Sequence, residues 1–405
     1  MFNYGLLADR VENGEVISAD DAMEILTSPD TDLMELVSAT SRLRRKYFGN
    51  QVKVNYLVNL KSGLCPEDCG YCSQRLGSDT EILKYSWLDA DEARRQAEFG
   101  LAGGASRVCL VASGRGPSNR DINKVSGMVE DIKSANPGVE VCACLGFLKD
   151  GQAERLKEAG VDAYNHNLNT AESHYGNICT THTFADRVDT VGKARNAGLS
   201  PCSGLIVGMG ETNEQIIETI ESLRDVDSDS IPVNFLIPFE GTPLAGTNYL
   251  TPQQCMRILC AVRFMCPDRE LRIAGGREMH LRSLQPLSLH VANSLFLGDY
   301  LTSEGQPAEE DLDMIVDGGF SIVGTEDAQQ LRDELKAHRA AHLAAVSTDP
   351  QPAQKVNESV ATAASGSLPC GKPRPTVTGH ETDPDGVLIP SIRLRGAGTD
   401  YAPNA

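Results

Sequence analysis

The chain has 405 residues, 40% of them hydrophobic, enough to bury a full core in one large domain or several smaller ones. Its 37 basic residues stand against 56 acidic ones, and the net charge of −19 argues against a nucleic-acid or anionic-membrane surface and for a small substrate. No run approaches the roughly 20 apolar residues of a membrane helix, and MFNYGLLADRVENGE has neither the basic segment nor the apolar run of a secretory signal, so a cytoplasmic protein is expected.

The first 45 or so residues read as helical: Ser18-Ala19-Asp20-Asp21 is a helix-start pattern, and Leu33, Leu36, Val37 and Leu43 recur at helical spacing. From about residue 52, short β-rich runs alternate with amphipathic helical stretches such as DADEARRQAEFGLAGG and NEQIIETIESLRDV. The β-like runs fall at 53–60, 106–112, 139–145, 161–168, 201–208, 230–238, 270–276 and 291–298. Eight strand–helix units over about 270 residues fit a (β/α)8 TIM barrel. Periodicity does not show closure, so a doubly wound open sheet is the alternative. Polar and ligand-type residues inside otherwise apolar strands favour the barrel, where they converge on one axis. The expected organisation is an N-terminal helical extension at 1–50, the barrel at 51–330, a terminal helix at 331–345 and a disordered tail at 346–405. The tail is rich in Ser, Thr, Pro and Gly without a sustained apolar period. GVLIPSIRLR within it is mildly apolar, but a solvated tail is the expectation.

The 12 cysteines are expected as thiolate ligands or buried thiols, not as a disulfide framework. Cys65-Pro-Glu-Asp-Cys69-Gly-Tyr-Cys72, just after the first strand, is a C-x3-C-x2-C run whose three thiolates can face one centre. Soft sulfur ligands suit an iron–sulfur cluster or zinc. A structural zinc site wants a fourth Cys or His at short spacing, and none follows. Three cysteines on a four-iron cluster leave one iron open. On the second strand Arg107 and Cys109 lie two apart and share a face, as do Cys142 and Cys144 on the third; Cys202 lies in the fifth run and Arg272 in the seventh. An arginine inside a barrel is costly unless paired.

The cysteine run and its Tyr71-Cys72 pair resemble the radical S-adenosylmethionine superfamily. That resemblance implies a 4Fe–4S cluster on Cys65, Cys69 and Cys72 whose open iron chelates the methionine end of S-adenosylmethionine, and one-electron cleavage to a 5′-deoxyadenosyl radical. It places Tyr71 near the adenine, together with Ile206 and Glu211 of Gly204-Leu-Ile-Val-Gly-Met-Gly-Glu211, which matches the family's G-x-I-x-G-x-x-E. Alone, that glycine-rich stretch is an ordinary strand–turn–helix junction.

A second set of motifs resembles the biotin synthase family: Arg107-Val-Cys109, Val141-Cys142, Cys202-Ser-Gly and Leu271-Arg272-Ile-Ala-Gly-Gly-Arg277-Glu. The resemblance implies a 2Fe–2S cluster on Cys109, Cys142, Cys202 and Arg272, with Arg272 tuning it and Arg107 supporting it in catalysis. Cys144 faces the same way as Cys142; the family pattern places the ligand at Cys142. Tyr164-Asn165-His166-Asn167-Leu168-Asn169 resembles the family's YNHNLD, with Asn169 for Asp, so the ribose contact there loses its charge. By the same resemblance Asn165 and Asn167 reach substrate and cofactor, Asn234 the ureido ring, Arg187 the cofactor carboxylate, and Thr302-Ser303 the carboxylate of dethiobiotin. A packed strand residue is the alternative for His166, and a solvated helix arginine for Arg187.

The resemblance runs from about residue 50 to 320. It implies sulfur insertion into dethiobiotin at the methyl and methylene carbons, the sulfur coming from the lower cluster. It also implies a flavodoxin-type electron donor, iron–sulfur assembly machinery to restore that cluster, and a homodimer. Two rivals remain: another radical enzyme of the hydrogenase-maturation or methylornithine type, and a non-catalytic metal-binding scaffold.

Overall fold

The computed structural model describes residues 2–247 and 250–337, together with two short strands, His380–Thr382 and Leu388–Pro390. Three helices form the N-terminal extension, Tyr4–Glu12, Ala19–Leu26 and Leu33–Phe48. The second starts where the sequence pattern places it: Ser18 accepts from the Asp21 amide while the Asp21 carboxylate accepts from the Ser18 amide, satisfying two otherwise orphaned donors. Leu36, Val37 and Leu43 all point into the core.

The barrel strands are β1 (Gln51–Lys61), β2 (Arg107–Ala112), β3 (Glu140–Cys144), β4 (Ala163–Asn165), β5 (Ser200–Cys202), β6 (Leu205–Val207), β7 (Ser230–Phe235), β8 (Glu270–Ile273) and β9 (Ser294–Phe296). All pairings among them are parallel. The sheet closes because β1 pairs with β9, Lys53 opposite Ser294 and Asn55 opposite Phe296, as well as with β2. That pairing settles the choice between barrel and open sheet: this is a (β/α)8 barrel. A two-residue strand, β10 (Ser321–Ile322), extends the sheet at the start of β1.

The fifth strand position is shared by β5 and β6, which both pair with β7. The break falls at Gly204, where an added Cβ would lie 1.9 Å from the Pro232 carbonyl oxygen, so the chain passes β7 at a distance only glycine permits. The fourth run is also shorter than its sequence pattern. After Asn165 the backbone leaves the sheet and reaches a left-handed conformation at Asn169, φ 73°.

The helix Pro252–Met265 is buried without interruption from Cys255 to Met265. One side rests on the barrel, and the extension helices Ala19–Leu26 and Leu33–Phe48 cover the other. Burial on both sides explains why an amphipathic period is weak there. The helix expected at 331–345 begins at residue 328 and is described to 337; the remainder lies outside the described residues. Of the tail at 346–405, only the two strands are described. They pair antiparallel, His380 opposite Pro390, which corrects the expectation of an unstructured tail at those positions. The rest of that expectation lies outside the described residues. Among the described residues, no helix is long and apolar enough to cross a membrane.

Candidate functional site

A cavity of about 390 Å³ opens at the C-terminal ends of the strands, where barrels of this kind carry their sites. The loop after β1 brings Cys65, Cys69 and Cys72 to its wall. Backbone bonds fix that loop: the Cys65 amide donates to Gln74 O at 2.9 Å, the Leu76 amide to Cys65 O at 2.8 Å, and the Gly70 amide to Ile178 O at 2.8 Å. Burial raises the Cys65 thiol and pushes that of Cys72 up to about 11. A cluster would take these groups as thiolates, so its binding would release their protons.

The two acids inside the cysteine run, which sequence reasoning passed over, anchor it from below. Glu67 accepts from His182 Nδ1 at 2.5 Å, Thr181 Oγ1 at 2.6 Å and Arg115 Nη1 at 2.9 Å. Asp68 accepts from the Thr180 and Thr181 amides at 3.0 and 3.2 Å. Two consecutive acids between cysteines were the available signal; their partners, 48 residues on for Arg115 and more than a hundred for the others, gave none.

Arg187 is buried, not solvated. It donates to Asn167 O at 2.8 Å and to His182 Nε2 at 2.9 Å, and it hydrogen-bonds Tyr175 Oη. Tyr71, Asn165, His166, Asn167, Asn169, Ile206, Asn234, Thr302 and Ser303 all line the same cavity. His166 packs edge-on against Phe147, and burial holds its pKa well below the usual imidazole value, so it is neutral. Glu211 is not brought to the cavity wall. Its carboxylate accepts from the Gly208 and Met209 amides at 2.5 and 2.7 Å, so it shapes the turn after β6 rather than facing a ligand.

Deeper in the barrel lies a cluster formed by Leu57, Cys109, Val111, Cys142, Ala163, Cys202, Ala274, Phe296 and Tyr300. Cys109 and Cys142 are register partners across β2 and β3, whereas Cys144 stands opposite Val111, one side-chain step nearer the mouth. Cys109, Cys142 and Cys202 belong to one buried cluster, and Cys144 packs against it. Arg272 Nη1 lies 3.7 Å from Cys202 Sγ, and Asn165 Nδ2 donates to the same sulfur at 3.1 Å. Cys109 and Cys202 are held below the ordinary thiol value, first by the neighbouring Cys142 thiol and then by the charges of Arg272 and Arg107, against the effect of burial.

Arg107 is buried and faces carboxylates instead of the thiols. Its Nη2 lies 2.8 Å from Glu140 Oε2 and its Nη1 3.2 Å from Glu270 Oε2, while Lys53 Nζ is 2.6 Å from Glu140. Glu270 also pairs with Arg272 Nη2, which donates to Ser230 Oγ at 2.9 Å as well, while Nε donates to Ser294 Oγ at 3.2 Å. Arg272 is thus anchored through Nε and Nη2, leaving Nη1 toward the Cys202 sulfur. Neither glutamate carried a recognisable sequence signal. Arg277 serves the architecture: wholly buried, it is paired with Asp311 at 2.5 Å and bonded to Tyr300 Oη at 3.0 Å.

Residues 60–223 match the model of the Radical SAM superfamily, and residues 232–321 that of the Biotin and Thiamin Synthesis associated domain. The chain is 58% identical over 403 residues to a biotin synthase of Streptomyces avermitilis, covering 99% of this chain and 100% of that one. The chain belongs to the biotin synthase family. A biotin synthase of Kocuria rhizophila is 68% identical over 322 residues, 80% of this chain and 69% of that one. Among solved structures, methylornithine synthase shares the fold with a TM-score of 0.68 at 20% identity, covering 82% of this chain and 99% of that one.

Family membership makes the chain a radical S-adenosylmethionine sulfurtransferase and brings 4Fe–4S, 2Fe–2S and S-adenosylmethionine as its groups. The donor sets fit clusters better than single ions. Among the described residues, neither Cys65, Cys69 and Cys72 nor Cys109, Cys142 and Cys202 bring their sulfurs all within 4.8 Å of one another. Thiolates on one zinc sit about 2.3 Å from it, hence under 4 Å apart. The match to biotin synthases over most of the chain removes the non-catalytic zinc scaffold as its reading.

Proposed function

We propose that Cys65, Cys69 and Cys72 hold the 4Fe–4S cluster and that Cys109, Cys142, Cys202 and Arg272 hold the 2Fe–2S cluster. On this reading Tyr71, Asn167, Asn169, Arg187 and Ile206 receive S-adenosylmethionine, and Asn165, Asn167, Asn234, Thr302 and Ser303 receive dethiobiotin. The supporting observation is that one cavity is lined by all three loop cysteines at one end and by Cys109 and Arg272 at the other, with these polar groups between them.

When bound, the upper cluster with S-adenosylmethionine supplies a hydrogen-atom abstractor and the lower cluster supplies sulfur. The chain's own residues orient and exclude. Buried Arg187 presents a fixed positive charge suited to the cofactor carboxylate. Asn234 is locked by accepting from the Gly275 amide at 3.1 Å and donating to Leu205 O at 3.3 Å, which presents its amide edge in one orientation for a ureido group. Thr302 Oγ1, 2.9 Å from Ser73 Oγ, and Ser303 supply hydroxyl donors for a carboxylate. Leu57, Val111 and Phe296 wall the cavity with apolar surface that keeps water from a reactive carbon.

The electron that such chemistry consumes calls for an external donor of the flavodoxin type, and sulfur withdrawn from a cluster calls for assembly machinery. A cytoplasmic location and a homodimer complete the reading, the latter carried by the family resemblance. Isotopically labelled sulfide tests it. Enzyme reconstituted with the label, freed of excess and run for one turnover yields labelled biotin as the lower cluster's absorbance falls. Unlabelled biotin beside an intact, labelled lower cluster would overturn the sulfur-donor assignment. Cleavage of S-adenosylmethionine without biotin would favour another radical enzyme.

A further inference from the structure

Cys179 belongs to none of the motifs discussed above, yet its sulfur lies 3.7 Å from that of Cys69. It follows the short helix Glu172–Tyr175 and is buried. Its amide bonds Tyr175 O at 3.1 Å, and the cysteine loop is tied to the same segment by the Gly70 amide on Ile178 O at 2.8 Å. The two sulfurs are therefore held together by backbone on both sides. Cys69, Cys179 and His182 bring their ligand atoms within 4.8 Å of one another. The imidazole is engaged at both nitrogens, by Glu67 on Nδ1 and Arg187 on Nε2, so it has no lone pair to offer an ion there. What remains is a pair of thiols, one of which, Cys69, lines the open cavity.

We propose that Cys179 is a resolving cysteine for Cys69 whenever the upper cluster is missing. The oxidant is hydrogen peroxide entering through the cavity. The Cys69 sulfur takes one peroxide oxygen as the O–O bond breaks, giving a sulfenic acid and one water. The Cys179 sulfur then attacks the Cys69 sulfur; the S–S bond forms, the S–O bond breaks, and the departing hydroxyl leaves as a second water with the Cys179 proton. The thiols lose two electrons and peroxide gains them. Bond formation requires the two sulfurs to close from 3.7 Å to about 2.05 Å. The disulfide stops Cys69 on the reversible rung of the oxidation ladder, short of sulfinic acid. It also withholds a thiolate from the cluster until a thiol reductant restores it. This last consequence rests on Cys69 being a cluster ligand, as proposed above.

The test uses the full-length, cluster-free chain treated anaerobically with one to a few equivalents of peroxide. Non-reducing peptide mass spectrometry reads the linkage, and iron–sulfide uptake with and without prior thiol reduction reads the consequence. The expected product is a Cys69–Cys179 linkage, with upper-cluster uptake lost and regained after reduction. Cys179→Ser should take up the upper cluster normally before oxidation, which shows that it folds. After peroxide it should accumulate Cys69 sulfinic acid and recover at least several-fold less cluster on reduction. A linkage confined to Cys65, Cys69 and Cys72, or a Cys179→Ser chain that recovers as fully as the parent, would overturn the proposal. Cluster uptake by the linked chain without reduction would instead overturn Cys69 as a ligand, and the gating consequence with it.

Discussion

Asn169 Nδ2 donates to Tyr71 Oη at 2.6 Å. The bond joins the last residue of the asparagine-rich run to the aromatic residue of the cysteine loop. It also shows what an amide does where the family pattern has a carboxylate: it fixes a tyrosine at the cavity wall. Asn169 sits at φ 73°, a left-handed conformation that asparagine and aspartate tolerate better than most residues. Its backbone is stitched to the fifth strand position, the amide donating to Gly204 O at 3.0 Å and the carbonyl accepting from the Ile206 amide at 2.8 Å.

Asn169→Ala should therefore lose both the hydrogen bond and the conformational tolerance, costing about 1–2 kcal/mol of stability and weakening S-adenosylmethionine binding. Asn169→Asp keeps the tolerance and can accept from the Tyr71 hydroxyl, so its unfolding midpoint should stay near the parent's. Denaturant unfolding and equilibrium dialysis of the cofactor check both. An alanine variant as stable as the parent would show that the left-handed turn carries no strain.

Loss of any one loop thiol should abolish reductive cleavage. In Cys65→Ala, Cys69→Ala or Cys72→Ala, anaerobically reconstituted protein is expected to form no 5′-deoxyadenosine above background, because an iron loses its thiolate. Chromatographic quantification decides it, and persistent product would count against the upper-site assignment.

The two clusters should be separable. Cys202 lies on β5, in the inner cluster with Cys109 and Cys142, and shares no element with the loop after β1. Cys202→Ala should lose the 2Fe–2S Mössbauer signal and keep the 4Fe–4S one. Disappearance of both would mean that Cys202 is needed for folding.

Glu270 predicts a pH dependence. Burial would raise its carboxyl, but the charges of Arg107, Arg272 and Lys53 hold it well below the carboxylate range. A depressed folded-state value means stability that is present above the unfolded value, about 4.3, and is lost as pH falls toward the folded one. Glu270→Ala leaves buried Arg272 without its carboxylate partner and should cost about 3–5 kcal/mol at neutral pH. Below pH 4 the gap between parent and variant should narrow. Urea unfolding from pH 7 to pH 3 measures it, and a gap that widens with acid would contradict the sign.

By itself the sequence determined the alternation of strand and helix, because burial on one face imposes a period that survives in any tertiary setting. It also brought together the proposed upper donor set, since Cys65, Cys69 and Cys72 are close along the chain and local spacing already implies proximity. The inner set was legible only through resemblance, because Cys109, Cys142, Cys202 and Arg272 lie on four different strands and meet only when the barrel closes. Closure itself needed the pairing of β1 with β9, a contact of some 240 residues' separation that no local pattern encodes. The counter-ions Glu140 and Glu270 resemble any surface acid in sequence, and Arg187 any helix arginine. Their roles depend on desolvation and on partners from other strands and loops, which the tertiary structure alone supplies.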